Sequence, residues 1–235
     1  MIQSKALEVN IADYHVDVAI DEKYSVLQEV MSKYYGLTEG LNTFLQELSH
    51  PYKNWQFIVQ EARGYSLNYY HLIKNQPNGP DAAKLFVEIF TSAIESESEI
   101  AVRADAVDNL LLFMHKIIKD SDSDIQRFMP VIDNSFDYIR NYKDEDFFLF
   151  VKSFYQINKL AESLINCSSE ITADFKSANL LLIKYFKHTY TYWLSEIDPG
   201  TWFKKEADKI DDPGKMDELF QQISHTQLKQ FLAKL

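Results

Sequence analysis

Hydrophobic residues recur at intervals of three and four along most of this chain of 235 residues. That spacing places them on one side of a helix and is typical of amphipathic helices packed around a common core. Two clear examples are Leu41, Phe44, Leu45 and Leu48, and further along Val107, Leu110, Leu111, Met114, Ile117 and Ile118. The pattern therefore predicts an all-α fold, an irregular multi-helix bundle of about ten helices.

Capping residues and prolines indicate where these helices begin. Asp21 and Thr172 are suited to begin the first and the eighth helix, because their side-chain oxygens can accept hydrogen bonds from backbone N–H groups. Pro51 is expected in the first turn of the third helix, where its missing N–H costs nothing. The seventh helix is expected to run without interruption from residue 144 or 145 to Leu164.

The first twenty residues follow a different pattern. Apolar residues occupy the even positions from Ala12 to Ile20, which is the alternation of an extended, half-buried segment. We therefore expect an extended N-terminal arm over residues 1–20 and one helical domain over residues 21–235. Two packed sub-bundles, covering residues 21–95 and 100–235, are the alternative division.

Composition and charge narrow the classes of partner. The chain has 24 basic and 35 acidic residues and a formal charge of −11, so nucleic acid and anionic membrane are unfavourable partners. It contains no run of 18 apolar residues, and its single cysteine, Cys167, cannot form an internal disulfide. These features predict a cytoplasmic protein without a membrane segment.

Two acidic residues offer the best candidate for a metal site. Asp133 and Asp137 lie one helical turn apart, as do Asp120 and Asp124, and Asp105 and Asp108 lie three residues apart. Helical prenyl-transfer enzymes hold Mg²⁺ diphosphate between two such Asp motifs that face each other across a bundle. A solvated acidic face is the competing interpretation, because residues 95–146 are dense in Asp and Glu. Glycine-rich phosphate loops, zinc-binding patterns and nucleophile motifs are absent from the sequence, so we expect no cofactor and assign no catalytic residue.

Two helix faces are candidates for ligand binding. The first is a polar row on the third helix, made of Gln56, Gln60, Arg63, Tyr70 and Lys74. The second is an aromatic face on the eighth helix that carries Tyr185, His188 and Tyr192. From these faces we select Arg63, Tyr70, Tyr185, His188 and Tyr192 as ligand-binding candidates. Ordinary core packing is the alternative interpretation of the aromatic residues.

Three stretches of the chain carry a family resemblance: residues 50–65 (HPYKNWQFIVQEARGY), 77–83 (PNGPDAA) and 105–112 (DAVDNLLL). They resemble the helical N-terminal region that precedes the catalytic modules of some bacterial proteins with a phosphoenolpyruvate/pyruvate-binding, pyruvate-phosphate-dikinase-like domain. The resemblance implies an accessory segment beside a phosphotransfer enzyme. Signatures of the ATP-binding, phosphohistidine and barrel modules of that family are absent from this sequence, so no catalytic residue is carried over.

These observations favour a non-catalytic interaction or regulatory domain that contacts another protein or an adjacent domain through its helix faces. Nucleic acid and membrane are not expected as partners, and self-association into a homo-oligomer remains open. The alternative is a small-molecule-binding helical enzyme that uses the Asp pairs with Mg²⁺ or the aromatic cleft.

Overall fold

The computed structural model describes residues 19–33, 38–121, 124–142, 149, 153–167 and 171–184. These residues form nine α-helices and no β-strand, which confirms the all-α class and lies close to the expected number of helices. The helices are α1 (Ser25–Ser32), α2 (Thr38–Ser49), α3 (Trp55–Arg63), α4 (Tyr70–Lys74), α5 (Gly79–Ile94), α6 (Ile100–Asp120), α7 (Ile125–Asn141), α8 (Phe154–Asn166) and α9 (173–184). Residues 1–18, and with them most of the predicted arm, lie outside the described residues.

Side-chain caps set several of the observed helix starts. The Asp21 carboxylate accepts a hydrogen bond from Lys23 N at 3.1 Å and caps the 3₁₀ turn Glu22–Tyr24, which leads directly into α1. Thr172 Oγ1 accepts a hydrogen bond from Phe175 N at 3.3 Å at the start of α9. Both caps were expected from the sequence, and both are confirmed.

The predicted start of the third helix at Pro51 is wrong. Helix α3 begins at Trp55, because Asn54 Oδ1 accepts a hydrogen bond from Phe57 N at 3.2 Å and satisfies the first turn. The backbone N–H of Asn54 donates to Glu47 Oε1 at 2.7 Å, which holds the preceding loop against α2. Pro51 lies in a bend of that loop.

The long third helix expected from the sequence is divided by a π-helical turn at Gly64–Asn68. A π-helical turn contains more residues than an α-helical turn, so it rotates everything that follows relative to a continuous α-helix. Tyr70 and Ile73 are therefore fully buried, although the apolar spacing predicts Tyr69 and Leu72 at the inner positions. The prediction that Tyr70 belongs to a polar row on the third helix is therefore wrong.

The expected seventh helix is also interrupted. Ser153 has a non-helical backbone conformation (φ −80°, ψ 38°), and α8 begins after it at Phe154. Its hydroxyl donates to the Leu149 carbonyl oxygen at 3.3 Å, an example of a serine side chain that competes for helical backbone acceptors.

One buried core extends from Tyr24 to Ile183. Helix α6 lies at its centre and packs most extensively against α5 and α8. The ring of Phe113 is edge-on to Tyr70, Phe86 and Phe90, with centroid distances of 5.7, 5.9 and 6.4 Å. Replacing such a fully buried phenylalanine by alanine typically costs about 3–5 kcal/mol, so this cluster anchors the fold.

Helices α5 and α6 join the two halves of the chain. Helix α3 packs against both of them, and α5 also contacts α7. The division into sub-bundles near residues 95–100 stays a prediction. None of the helices in the described residues combines the length and the apolar character needed to cross a membrane.

Candidate functional site

A polar cleft of about 630 Å³ lies where the end of α5, the start of α6 and the second half of α7 meet. We call it the α7 cleft. Its lining residues are Glu95, Arg103, Asn134, Asp137, Tyr138, Asn141 and Tyr142. Five of them come from α7 or its C-terminal cap and follow one another at helical spacing, so they share one face of that helix.

The opposite face of α7 explains why these polar residues point outward. Ile132, Phe136 and Ile139 are buried in the core at intervals of three and four. Burial of three large apolar side chains fixes the rotation of the helix about its axis. The polar residues between them are therefore presented together to the cleft.

Arg103 is positioned by two neighbouring helices. Its Nε donates to the Ile94 carbonyl oxygen at 2.7 Å, at the end of α5. Its Nη2 donates to Tyr142 Oη at 3.2 Å, at the end of α7. The guanidinium thus connects three helices and places a fixed positive charge in the cleft.

Asp137 forms a second polar connection. Its carboxylate is paired with Arg140 three residues later on α7, and Arg140 Nη2 donates to Asn179 Oδ1 on α9 at 2.8 Å. The side-chain amide of Asn141 donates to the Asp137 carbonyl oxygen at 2.9 Å. Because Asn141 uses Nδ2 in this bond, its Oδ1 stays an acceptor at the edge of the cleft.

Tyr138 has an unusual environment. Its hydroxyl oxygen is buried, and the Glu95 carboxylate is a polar neighbour of this oxygen. Burial raises the pKa of Tyr138, and the negative charge of Glu95 raises it further. The hydroxyl therefore keeps its proton.

The structure places the two metal candidates on the surface of α7. Asp133 and Asp137 are both exposed and lie one turn apart; Asp137 lines the α7 cleft. The ion pair with Arg140 supplies a positive charge that competes with any cation at Asp137. No group of three or more potential ligating side chains occurs within the described residues. Metal binding by this pair stays a prediction.

The ligand-binding candidates are dispersed. Arg63 is exposed at the end of α3, whereas Tyr70 is fully buried and shares a 2.6 Å hydrogen bond with Ser121 Oγ. The structure therefore does not bring Arg63 and Tyr70 to one surface. Tyr185, His188 and Tyr192 lie outside the described residues.

Arg63 does influence one buried carboxyl group. Burial raises the pKa of Asp108 on α6, the Ser153 hydroxyl and the Arg63 charge lower it, and Asp105 adds to the increase. Burial is the largest of these effects, so Asp108 favours its protonated form more than an exposed aspartate does.

A second cleft, of about 250 Å³, lies between α6 and α8 beside His115. His115 Nδ1 is 3.0 Å from the Lys159 carbonyl oxygen and 2.5 Å from Ser163 Oγ. A carbonyl oxygen can only accept, and Ser163 Oγ already donates to that same carbonyl at 3.0 Å. Nδ1 therefore carries the imidazole proton, which leaves Nε2 as an acceptor.

Sequence reasoning missed both clefts as sites. His115 and Ser163 are 48 residues apart, so no local spacing connects them. Four residues of the α7 cleft, Asn134, Tyr138, Asn141 and Tyr142, follow the helical spacing that also includes the metal candidate Asp137. That repeated polar and aromatic face is the sequence signal that could have found the cleft.

Comparisons with protein-family models, with curated proteins and with solved structures gave no match for this chain. The fold and the α7 cleft place this protein in a general structural class, the all-α bundles with a polar cleft where three helices meet. The resemblance to a phosphotransfer-associated region stays a prediction.

Proposed function

We propose that this protein is a non-catalytic helical interaction and regulatory domain. In this proposal an occupant of the α7 cleft controls how the domain contacts another protein or an adjacent domain. The observation that carries it is the convergence of donors and acceptors from α5, α6 and α7 on one cleft. An occupant that bridges three helix ends would favour one arrangement of those ends over others, which is the basis of regulation by ligand binding.

Comparative co-purification tests this proposal. The full chain is immobilised, exposed to a lysate of its source cells and compared with the cleft variant Asn134→Ala/Asn141→Ala. The matched control is Asn68→Ala/Asn75→Ala, which removes two exposed asparagines elsewhere. Asn75 is closely matched to Asn141, since both side-chain amides donate to the carbonyl oxygen four residues earlier.

A defined pattern of recovery is expected. At least one protein should be recovered by the wild type and the control at equal yield, and at a clearly different yield by the cleft variant. Identical proteins and yields for all three chains would contradict a role for the α7 cleft in partner contacts.

The proposed partner is a phosphoenolpyruvate- or pyruvate-utilising phosphotransfer enzyme, or a domain of one. Its support is the resemblance of residues 50–65, 77–83 and 105–112 to the helical region ahead of such modules. Mass spectrometry of the recovered proteins tests this point, and a specific partner of another class would contradict it. A cytoplasmic location belongs to the same proposal, because Cys167 is the single cysteine of the chain.

A small-molecule-binding enzyme that uses Mg²⁺ is the second candidate. One observation favours it: Asp137 lines the α7 cleft and Asp133 lies one turn away on the same helix. Calorimetric titration with MgCl₂ distinguishes the two proposals. The enzyme proposal requires saturable binding that disappears in Asp133→Asn/Asp137→Asn, whereas the interaction-domain proposal requires no difference between the two chains.

A further inference from the structure

A further cavity, with a volume of about 200 Å³, lies beside the middle of α5. There α5 meets the 3₁₀ turn Glu22–Tyr24, the end of α2 and the start of α3. We call this cavity the α5 pocket. Its lining divides into an apolar wall and a charged rim.

We propose that the α5 pocket binds a small amphipathic carboxylate, a molecule that carries one carboxylate group on a short apolar chain or ring. In this proposal the apolar part lies against the wall, and the carboxylate lies at the rim with Lys23 and Lys53. The inference does not depend on the proposed function, because the α5 pocket and the α7 cleft share no lining residue.

The wall of the pocket consists of five apolar or aromatic side chains. Tyr24, Leu48 and Ile89 are buried, whereas Trp55 and Leu85 are partly exposed. The last two therefore offer apolar surface to an occupant. Removal of such surface from water by an apolar group is favourable, and walls of this composition are typical of small-molecule sites.

The rim of the pocket carries more positive than negative charge. Lys23, Lys53 and Glu88 belong to the lining, and Glu88 is also paired at 3.8 Å with Lys84, which lies outside the lining. The balance is reversed in the α7 cleft, which has two carboxylates and one guanidinium. In a chain with a formal charge of −11, a local excess of ammonium groups favours an anionic ligand.

Both ammonium groups are able to bind a carboxylate. Lys53 Nζ donates to the His50 carbonyl oxygen at 3.0 Å. Lys23 Nζ lies 4.7 Å from the centroid of the Tyr24 ring. The Tyr24 side chain is the main cause that raises the pKa of Lys23; burial opposes it, and nearby carboxylates contribute less. Within the described residues neither lysine forms an ion pair. Since an ammonium has three N–H donors, each lysine keeps donors for a ligand.

The size of the pocket limits the ligand. A volume of about 200 Å³ is smaller than the sites of drug-sized molecules, which have about 300–1,000 Å³. It is also several times the volume of about 30 Å³ that one water molecule occupies in the liquid. We therefore expect a ligand of the size of hexanoate or 3-phenylpropionate.

Other classes of ligand match only part of this lining. A cationic compound is repelled by the two lysines at the rim. An alcohol with the same chain contacts the wall but supplies no negative charge to the rim. Acetate supplies the charge but has too little apolar surface for the wall. An amphipathic carboxylate uses both parts of the lining.

Titration calorimetry and ligand-observed NMR on the full chain test the inference. The probes are hexanoate and 3-phenylpropionate. The comparison compounds are hexylamine, with the opposite charge, 1-hexanol, with no charge, and acetate, with no apolar chain. We expect saturable binding of at least one probe, and each comparison compound should bind at least about threefold more weakly.

Charge substitutions at the rim should have effects of opposite sign. Lys23→Gln/Lys53→Gln should weaken binding of the probe about threefold or more, because it removes the positive charge. Glu88→Gln should strengthen binding, because it removes the negative charge of the rim. The control Lys33→Gln/Lys119→Gln removes two exposed lysines elsewhere and changes the net charge equally, so it should leave the affinity unchanged.

A substitution that fills the pocket locates the binding site independently of charge. Ser92 is exposed and lines the pocket, so Ser92→Phe should occupy the space without disturbing the core. We expect this variant to lose binding and to keep the melting temperature of the wild type. Loss of affinity with retained stability distinguishes a binding site from a structural role.

Three results would overturn the inference. The first is no saturable binding of either probe. The second is equal or tighter binding of hexylamine or 1-hexanol, which would show that the carboxylate is not selected. The third is binding of a probe that the rim lysines or the Ser92→Phe substitution leave unchanged, which would place the carboxylate or the whole ligand elsewhere on the protein.

Discussion

Two tyrosines show how single hydroxyl groups are treated differently in this protein. Tyr70 is fully buried, and its hydroxyl shares a 2.6 Å hydrogen bond with Ser121 Oγ. Tyr138 also has a buried hydroxyl, but its polar neighbour is the carboxylate of Glu95. Burial raises the pKa of both phenols, so both stay protonated. The first hydroxyl is paired with another neutral hydroxyl, and the second lies beside a negative charge.

The Tyr70 hydrogen bond gives a prediction about stability. Tyr70→Phe should lower the free energy of unfolding by about 1–2 kcal/mol, because the buried Ser121 hydroxyl loses its partner. Urea denaturation followed by circular dichroism measures the change. Tyr52→Phe is the control and should stay within about 0.5 kcal/mol of the wild type, since Tyr52 is exposed. Equal effects of the two substitutions would contradict the role assigned to Tyr70.

His115 gives a prediction about pH. Burial lowers its pKa below the ordinary value of 6.5, and the charges of Lys119 and Lys159 lower it further. A hydrogen bond with the Lys159 backbone and the charge of Asp120 oppose this change. Over the interval between the two pKa values the unfolded chain binds more protons than the folded chain. The free energy of unfolding is therefore not reduced by His115 above pH 6.5. It decreases as the pH falls from 6.5 towards the lower pKa of His115 in the folded state.

Chemical denaturation between pH 7.5 and pH 5 measures this effect. His115→Asn retains a side-chain N–H near the position of Nδ1 and removes the titrating group. The variant should lose less stability than the wild type over the same pH interval. Curves of the same slope for both chains would show that His115 does not contribute to the pH dependence.

At the scale of single elements, the π-helical turn at Gly64–Asn68 has the largest consequence. An α-helix turns by about 100° per residue, so one additional residue in a turn changes which side chains face inward. Tyr70 and Ile73 enter the core after this turn. Tyr70 then meets the rings of Phe113 and Phe128 at 5.7 and 5.9 Å. Favourable packing of these rings compensates for the irregular backbone.

Two glycines at element boundaries should respond oppositely to substitution by alanine. A Cβ atom added at Gly64 would meet nothing within 4 Å, and this residue has helical backbone angles. At Gly79 the same atom would lie 2.2 Å from the Ile73 carbonyl oxygen. Gly64→Ala should therefore stabilise the fold by about 0.5–1 kcal/mol, and Gly79→Ala should destabilise it by more than about 1 kcal/mol.

Thermal melts of the two alanine variants and the wild type measure the difference. The pair is self-controlled, because each substitution adds the same methyl group next to a helix boundary. Stabilisation by Gly79→Ala would contradict the close approach of α5 to the Ile73 backbone.

On the scale of the whole molecule, the continuous core determines how the protein should unfold. Helix α6 packs against α3, α5, α7 and α8, so its displacement would disturb most of the described helices. We expect the slowest-exchanging amides of α3 and α7 to open only by global unfolding. Native-state hydrogen exchange with increasing urea should give the same opening free energy for both sets. Two distinct free energies would instead support the sub-bundles 21–95 and 100–235.

The hydrophobic pattern predicted the inner faces of α2 and α6 correctly, and each of these helices continues without interruption. Val107, Leu110 and Met114 on α6 are buried, as are Leu41 and Phe44 on α2. Their spacing is local, because residues three and four apart on a helix lie on the same side. The break at the π-helical turn Gly64–Asn68 was not predicted, because Tyr65 of this turn packs against Phe44 of α2, a contact that no local spacing encodes.

The candidate site was predicted only in part, and for a related reason. Asp137 was selected from its spacing to Asp133, and it does line the α7 cleft. Glu95 and Arg103 come from other helices, and the sequence contains no sign that they face α7. Arg103 reaches Tyr142 across 39 residues of chain, a contact that depends on how the helices pack.

The sequence by itself determined the helical class, the acidic character and the inner face of uninterrupted helices such as α2 and α6, because these depend on composition and on intervals of three and four residues. Tertiary packing decided that Tyr70 is buried, that Ser153 precedes a new helix and that Tyr138, Glu95 and Arg103 share a cleft. The physical reason is the distance along the chain between the residues that interact. A helical repeat is fixed by neighbours along the chain, whereas a cleft is fixed by contacts between helices that no local pattern encodes.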